Sequence, residues 1–456
     1  MKPPVHQTEL DWVPPAIAAL HWFIAAMGTE EWHRRRQGVV DYFRSIDTDK
    51  APPQKLYHPI AYYDDWMAWY MYLVESIEQR PAVDDPFQSA RVYPFFAAIG
   101  RQMTELQAVP GIDDRLKEML NQRKNQPDST LFELAVAILY IRNGWLVRFL
   151  KERLSEKTPD FEVSRDGKTF WVECKRLAKV TDFANEERAE WVKRFRHLTS
   201  AMRLLKISAH ADVTFKIPIA DVPEELLGQL FIYYVNTGWM KSGKIFSVDS
   251  ISFQATPLDI AAINTRLDEE GPRVNSPAMI EVIAGNYEMH GSYTQLIDYA
   301  KYSDVGPEDG LHVLNRFCQG IHAAYSAKYT CLAASSIEKK AKDVRKVLKK
   351  AVDQITGEQE GIIHIGYETV NGPEVELVRH QRTKDTVTGF DYRGTQIEAV
   401  YCHAIQPLVK IGEFECAETT LYFEKHPGQI LDKNLLLDSP GSPSRNGTHW
   451  EEDLNN

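Results

Sequence analysis

Apolar residues recur at helical spacing through residues 1–126, broken at "TDKAPPQ", "RPAVDDP" and "VPGIDD", so this stretch is predicted to be a helical N-terminal domain. The pattern then changes. A helix over Leu131–Arg142 ends at Asn143–Gly144, a pair that suits a left-handed C-cap. "WLVRFL" follows as a strand, and two alternating runs flank Asp166–Gly167, the strongest short-range signal for a type I′ hairpin. A charged helix in "NEERAEWVKRFRHLTSAMRLL" and a strand in "ADVTFKIPI" complete an α-β-β-β-α-β order over 127–218, which predicts a mixed sheet flanked by helices. Residues 219–335 are poorly patterned and are expected to form an α+β insertion or subdomain. In 336–436, Ile337, Ala341, Val344, Leu348, Ala351 and Ile355 fall at helical spacing before the apolar strand "EGIIHIGYE". This second αβ unit either extends the first sheet or is its true last αβ pair, and the pattern leaves both open. The tail, 437–456, is small and polar and is expected to be disordered.

The hairpin carries the chemistry. With a two-residue turn at Asp166–Gly167, Arg165 faces Lys168, Val163 faces Phe170 and Asp160 faces Glu173. Opposed residues share a face with Cβ atoms about 5 Å apart, and like charges so placed repel unless compensated. Lys175, two residues past Glu173, is on that same face, whereas Val172 and Cys174 point into packing with helices. Two converging carboxylates beside a lysine form a hard-oxygen site suited to Mg²⁺ or Mn²⁺. The competing reading is a surface hairpin in which Lys175 and Glu173 merely pair, but "TFWVEC" is too apolar for a solvated edge.

Composition narrows the class. The 456 residues, 43% hydrophobic and 26% charged, are those of a globular protein with room for two or three domains. A net charge of −11 argues against a protein basic all over. Yet residues 142–206 hold 16 Lys/Arg against 10 Asp/Glu, a local +6 in an acidic chain. Residues 338–350 add seven basic residues against two acidic. Basic helix faces are commonly just solvated, but two of them beside a metal hairpin favour phosphate tracking, with Lys179, Lys193, Arg194 and Arg196 as candidate nucleic-acid contacts. The aromatic run "YHPIAYYDDWMAWYMYLVESI" reads either as a base-stacking platform or as a helix packed on its neighbour. Cys174, Cys318, Cys331, Cys402 and Cys416 are scattered and odd in number, without a CxxC pair, and a reducing cytoplasm is the expected location. Cys402 and His403, adjacent on a strand, point to opposite faces and are read as structural. No signal peptide, no run near the ~18 apolar residues of a membrane span and no GxxxxGK[ST] motif is visible.

The ordered set of a helix glutamate (Glu133 in "FELAVAILYIRNGW"), a strand, Pro159–Asp160, a hairpin turn and "ECK" at Glu173–Lys175 resembles the PD-(D/E)XK nuclease superfamily. The resemblance covers about 90 residues, Pro127 to Pro218, and extends further if the later αβ unit belongs to it. It implies a restriction-endonuclease-like αβββαβ core, with Asp160 and Glu173 as ligands of Mg²⁺ or Mn²⁺. It also implies that Lys175 positions or activates the attacking water, that Glu133 stands near the metal, and that the substrate is a nucleic-acid backbone, DNA being the expected polymer. Glu133 has a second reading as N3 of a capping box begun by Thr130. Gln354 in "KKAVDQI" resembles the helix Gln of exonuclease-like members, although the place of their Tyr is taken by Glu358. The expected protein is thus a cytoplasmic, divalent-metal-dependent nuclease, with a homodimer as a further expectation. The alternative is a non-catalytic nucleic-acid-binding or interaction protein that keeps the fold.

Overall fold

A computed structural model describes residues 12–45, 65–78, 85–151, 158–177, 181–304, 316–355, 359–411, 413–426, 428–432, 434–437 and 448–451. Among these residues the chain is mixed α/β with two mixed sheets. The first contains β1 (Leu146–Phe149), β2 (Phe161–Arg165), β3 (Lys168–Arg176), β9 (Gly361–Glu368), β10 (Ile397–Lys410) and β11 (Glu413–Glu424), in the order β1-β2-β3-β9-β10-β11. The second contains β4 (Ala209–Phe215), β5 (Phe246–Ser247), β6 (Ile251–Pro257), β7 (Ser292–Asp304) and β8 (Arg316–Cys331), in the order β5-β6-β4-β8-β7.

The hairpin forms as its sequence predicts. Asp166 and Gly167 have φ of 53° and 77°, the two positive values a type I′ turn needs. The β2–β3 register pairs Arg165 with Lys168, Val163 with Phe170 and Phe161 with Val172. Gly144, at φ 77°, follows the end of the helix Pro127–Arg142. The expected contiguous αβββαβ unit, in contrast, is corrected. β4 joins the second sheet, and the helix Asp182–Leu204 packs Trp191, Phe195, Leu198 and Met202 into the core that this sheet builds. β9 is the parallel neighbour of β3. The reason lies in burial: β4 alternates along part of its length, whereas all eight residues of β9 are buried, as a central strand covered on both faces requires. The excursion from 182 to 331 is therefore one inserted unit, larger than the expected 219–335, and the later αβ pair completes the first sheet.

One face of that sheet, through Phe161, Val163, Phe170, Val172 and Cys174, shares a core with the helix Pro127–Arg142 and the helices Val13–Met27, Trp66–Glu75 and Pro86–Arg101. Among the described residues, the N-terminal helices thus share one core with the sheet. The helix Trp66–Glu75 is buried from Met67 to Val74, so its aromatic residues pack rather than offer a stacking surface, while 57–64 lie outside the described residues. The opposite face packs Ile363, Ile365, Val400 and Cys402 on Leu348, Ala351 and Val352 of the helix Arg345–Val352. Gly366 sets how closely the Pro127–Arg142 helix approaches β9, because a Cβ there would lie 2.5 Å from the Phe132 ring. In the tail expected to be disordered, Thr448, His449 and Trp450 are buried. His449 bonds Thr369 Oγ1 and Thr419 Oγ1, each at 2.8 Å, and Trp450 is buried. Apolar and hydrogen-bonding residues in an otherwise polar tail give those three positions a place on the sheet.

Candidate active site

Asp160 stands one residue before β2, where its N–H continues the ladder onto Val172 O at 3.1 Å. Extending the register places it across from Glu173. Its Oδ2 accepts the Cys174 N–H at 2.8 Å, so the backbone of β3 fixes the carboxylate. Glu173 is completely buried, and its Oε1 accepts a bond from Lys175 Nζ. Glu173 Oε2 has no hydrogen-bond partner. A fully buried carboxylate oxygen left in this state is costly, so Glu173 Oε2 is a hard donor that a cation would satisfy.

Gln354, just past the Arg345–Val352 helix, completes this side. Its Oε1 accepts from Lys175 Nζ at 2.5 Å, and its Nε2 donates to Thr158 O at 3.4 Å. The residue therefore ties the lysine to the segment leading into Pro159–Asp160. Glu358 lies outside the described residues.

Glu133 approaches from the Pro127–Arg142 helix. That helix begins at Pro127 with Gln126 as its N-cap residue, and Thr130 Oγ1 is buried without a hydrogen-bond partner. The capping-box reading of Glu133 is thus corrected: proline at N1 starts the helix three residues before Thr130. Arg115, which no motif singled out, reaches the same cluster from the short helix Ile112–Lys117. Its guanidinium is 3.2 Å from Glu118, 3.4 Å from Glu133 Oε2 and 3.6 Å from Asp160 Oδ1, and it donates to Asp160 O at 3.3 Å. Arg123 follows a π-helical turn, Glu118–Gln122, and lies 2.9 Å from Glu118 and 3.7 Å from Glu133 Oε1. Gly111 permits this approach, with φ +86° and a position where a Cβ would lie 2.8 Å from Phe149 O. A signal for Arg115 exists in the sequence: it shares a helical stripe with Ile112 and Met119, a cation placed on an otherwise apolar face.

Burial and mutual repulsion shift this cluster together. Burial, then the charge of Asp160, pushes the Glu133 carboxyl up to about 8 against the pull of Arg115 and Arg123. Burial raises Asp160 although Arg115, Lys175 and the Cys174 N–H oppose it. Glu173 is raised well above its ordinary range by burial and then by Asp160. At Lys175 burial acts to lower the ammonium, but the charges of Glu173 and Asp160 outweigh it and raise the group. Cys174 is buried and its thiol is pushed well up by that burial, in keeping with a packing role.

No protein-family model matches the chain, and neither a curated protein nor a solved structure matches it. What the site can do is therefore argued from its own groups. Among the described residues no cluster of three or more His, Cys, Asp or Glu is arranged to hold a metal. The acids here have cations beside them instead. A divalent ion still fits the donor set, because Asp160 and Glu173 offer hard oxygens and Glu173 Oε2 is unsatisfied.

The expected nucleic-acid contacts fare differently. Arg194 is corrected: it is buried, and its guanidinium is filled by Val222 O at 3.0 Å, Glu190 Oε2 at 2.7 Å and Ala220 O at 3.2 Å. Its position on the apolar side of the Asp182–Leu204 helix turns it inward. Lys193 and Arg196 are exposed on that helix, Lys193 pairing with Glu190 at 2.6 Å, and Lys179 lies outside the described residues. Cys402 and His403 are both buried, His403 bonding His364 at 2.9 Å, so neither is a nucleophile in waiting. No described helix is long and apolar enough to cross a membrane.

Proposed function

We propose that the protein is a divalent-metal-dependent nuclease of the PD-(D/E)XK type that hydrolyses phosphodiester bonds, with DNA as the expected polymer. One observation carries the reading: buried Asp160 and Glu173 meet at a hairpin beside Lys175, and Gln354 holds that lysine from just past the helix preceding β9. The order helix, three strands, helix, strand is recovered when the 182–331 excursion is set aside, which supports the restriction-endonuclease-like core.

Asp160 and Glu173 would hold Mg²⁺ or Mn²⁺, which when bound supplies Lewis-acid polarisation of a phosphate oxygen and a more acidic water. The protein's own groups do the rest. Cys174 N–H fixes Asp160, so its free oxygen lone pairs keep one direction. Lys175, about one-fifth exposed, keeps its ammonium charged between Glu173 and Gln354, where it can orient a water or stabilise charge developing on the phosphate. Burial of both acids strengthens these interactions by excluding bulk water.

A second reading is favoured by one observation. Arg115 and Lys175 already neutralise the acids, as in a binding protein that has kept the fold without cleavage. Incubation of purified protein with supercoiled plasmid, linear duplex, single-stranded DNA and RNA, in Mn²⁺ and in EDTA, separates the two. Cleavage dependent on Mn²⁺ and lost in Glu173→Ala is expected. Binding without cleavage of any of the four would overturn the nuclease reading.

A further inference from the structure

Glu133 and Arg115 occupy the cluster in a way the proposed metal does not require. Both oxygens of Glu133 are turned to guanidinium groups, Oε2 to Arg115 at 3.4 Å and Oε1 to Arg123 at 3.7 Å. Arg115 is anchored by groups a metal ion would not displace: Glu118 at 3.2 Å, the backbone oxygen of Asp160 at 3.3 Å and the Phe149 ring at 5.8 Å. It is also almost wholly buried, so it cannot simply turn to solvent. Glu133 Oε2 and Glu173 Oε2 both lack a hydrogen-bond partner, but the first faces the Arg115 guanidinium, whereas the second is on the side of Lys175 and Gln354.

We propose that Arg115 is a positioning residue that retains Glu133 as its own counter-ion, outside the metal shell, and so limits the site to one divalent ion on Asp160 and Glu173. The inference rests on the nuclease reading above. Its physical basis is charge: a divalent ion on Glu133 would lie against two guanidinium groups in a poorly screened interior, where such repulsion is strong. By bridging the Asp160 backbone and side chain, Arg115 also holds that ligand in place before any metal arrives. This departs from the family expectation that the helix glutamate stands with the metal.

The test is Mn²⁺ binding to the full chain by calorimetry, with stoichiometry and affinity as readouts. Wild type should bind one Mn²⁺. Asp160→Asn and Glu173→Gln should each weaken it by at least about tenfold, the lower end of what even a supporting group costs a metal site. Glu133→Gln should bind one Mn²⁺ with wild-type affinity. Arg115→Met should free Glu133, giving tighter binding or a second ion. The inference is overturned by two ions in wild type or by Glu133→Gln losing as much affinity as Asp160→Asn. A folded Arg115→Met protein indistinguishable from wild type overturns it too. If Arg115→Met does not fold, Glu133→Gln alone decides. Wild type that binds no Mn²⁺, or binds it independently of Asp160 and Glu173, overturns the metal reading itself and this inference with it.

Discussion

Arg194 in the inserted unit and Glu173 in the first sheet are both buried charges, yet they are treated in opposite ways. Arg194 spends its donors on Val222 O, Ala220 O and Glu190, so its burial closes a structural account. Glu173 has one oxygen on Lys175 and the other on nothing. The sheets around them differ likewise. β4, β6 and β8 bury mainly small and aromatic apolar side chains, such as Ala211, Phe215, Phe253 and Ala327. β3, β9 and β10 bury Glu173, His364, Glu368, His403 and Gln406. Buried polar groups are tolerated when satisfied and costly when not. Buried polar atoms without a partner occur in both bodies, Glu187 Oε1 and Gln295 Nε2 in the inserted unit and Tyr367 Oη in the first sheet, but Glu173 Oε2 belongs to a carboxylate set across from a second buried carboxylate, Asp160, beside the hairpin.

The sharpest way to break this contrast is at Lys175. If its ammonium acts on a reacting phosphate, Lys175→Ala should lower cleavage by roughly a hundredfold to ten-thousandfold, the range of a positioned proton-handling group. Mn²⁺ should still bind, since an ammonium is not a ligand. Wild-type rates in single-turnover assays would place the chemistry elsewhere. Arg194→Met should act on stability alone, costing about 3 kcal/mol because it strands buried carbonyls. Urea melts check the cost. A variant as stable as wild type would undo the structural account of Arg194.

Much of the site was legible because a hairpin is local. The Asp166–Gly167 turn, the pairing of Val163 with Phe170 and the opposed faces of Glu173 and Cys174 all follow from a turn and an alternation. The partner of β3 was not legible, since β9 arrives after a long excursion and parallel pairing leaves no short-range signal. Arg115 was missed for the same reason: its partners Glu133 and Asp160 are distant in sequence, and only its place on an apolar helical stripe marked it. Arg194 was misassigned because local charge counts cannot tell an exposed cation from one turned inward.

The assignment of the basic surface is sharpened by salt dependence. Arg345, Lys346, Lys349 and Lys350 are exposed on the helix that leads to Gln354, whereas Lys193 and Arg196 belong to the inserted unit. Binding of duplex DNA in EDTA should lose about 0.9 in the slope of log K against log salt for each phosphate contact removed. Charge reversal at Lys346 and Lys349 should flatten that slope, and reversal at Lys193 and Arg196 should leave it unchanged. The opposite pattern would move the groove to the Asp182–Leu204 helix.

The smallest expected effect is the most specific to the unsatisfied oxygen. In EDTA, Glu133, Asp160 and Glu173 all have folded-state pKa values raised above their ordinary ones, Glu133 to about 8. The native state then holds more protons than the unfolded state between the ordinary carboxylate range and about 8. Stability contributed by these groups is fully present below the unfolded pKa and is lost as pH rises through the folded one. A tenfold difference in proton affinity between the folded and unfolded chain corresponds to about 1.4 kcal/mol. Glu173→Gln removes one of the three charges and the repulsion it exerts on the others, while Lys175 keeps Gln354 and partial access to water. The variant should therefore gain on wild type in thermal melts at pH 8 relative to pH 5. Mn²⁺ should close that gap, adding about 2.7 kcal/mol to wild type at a hundredfold excess over Kd and less to the variant. A Glu173→Gln protein that trails wild type by the same margin at both pH values, with an equal response to Mn²⁺, would mean that the buried carboxylate carries no penalty for a metal to relieve.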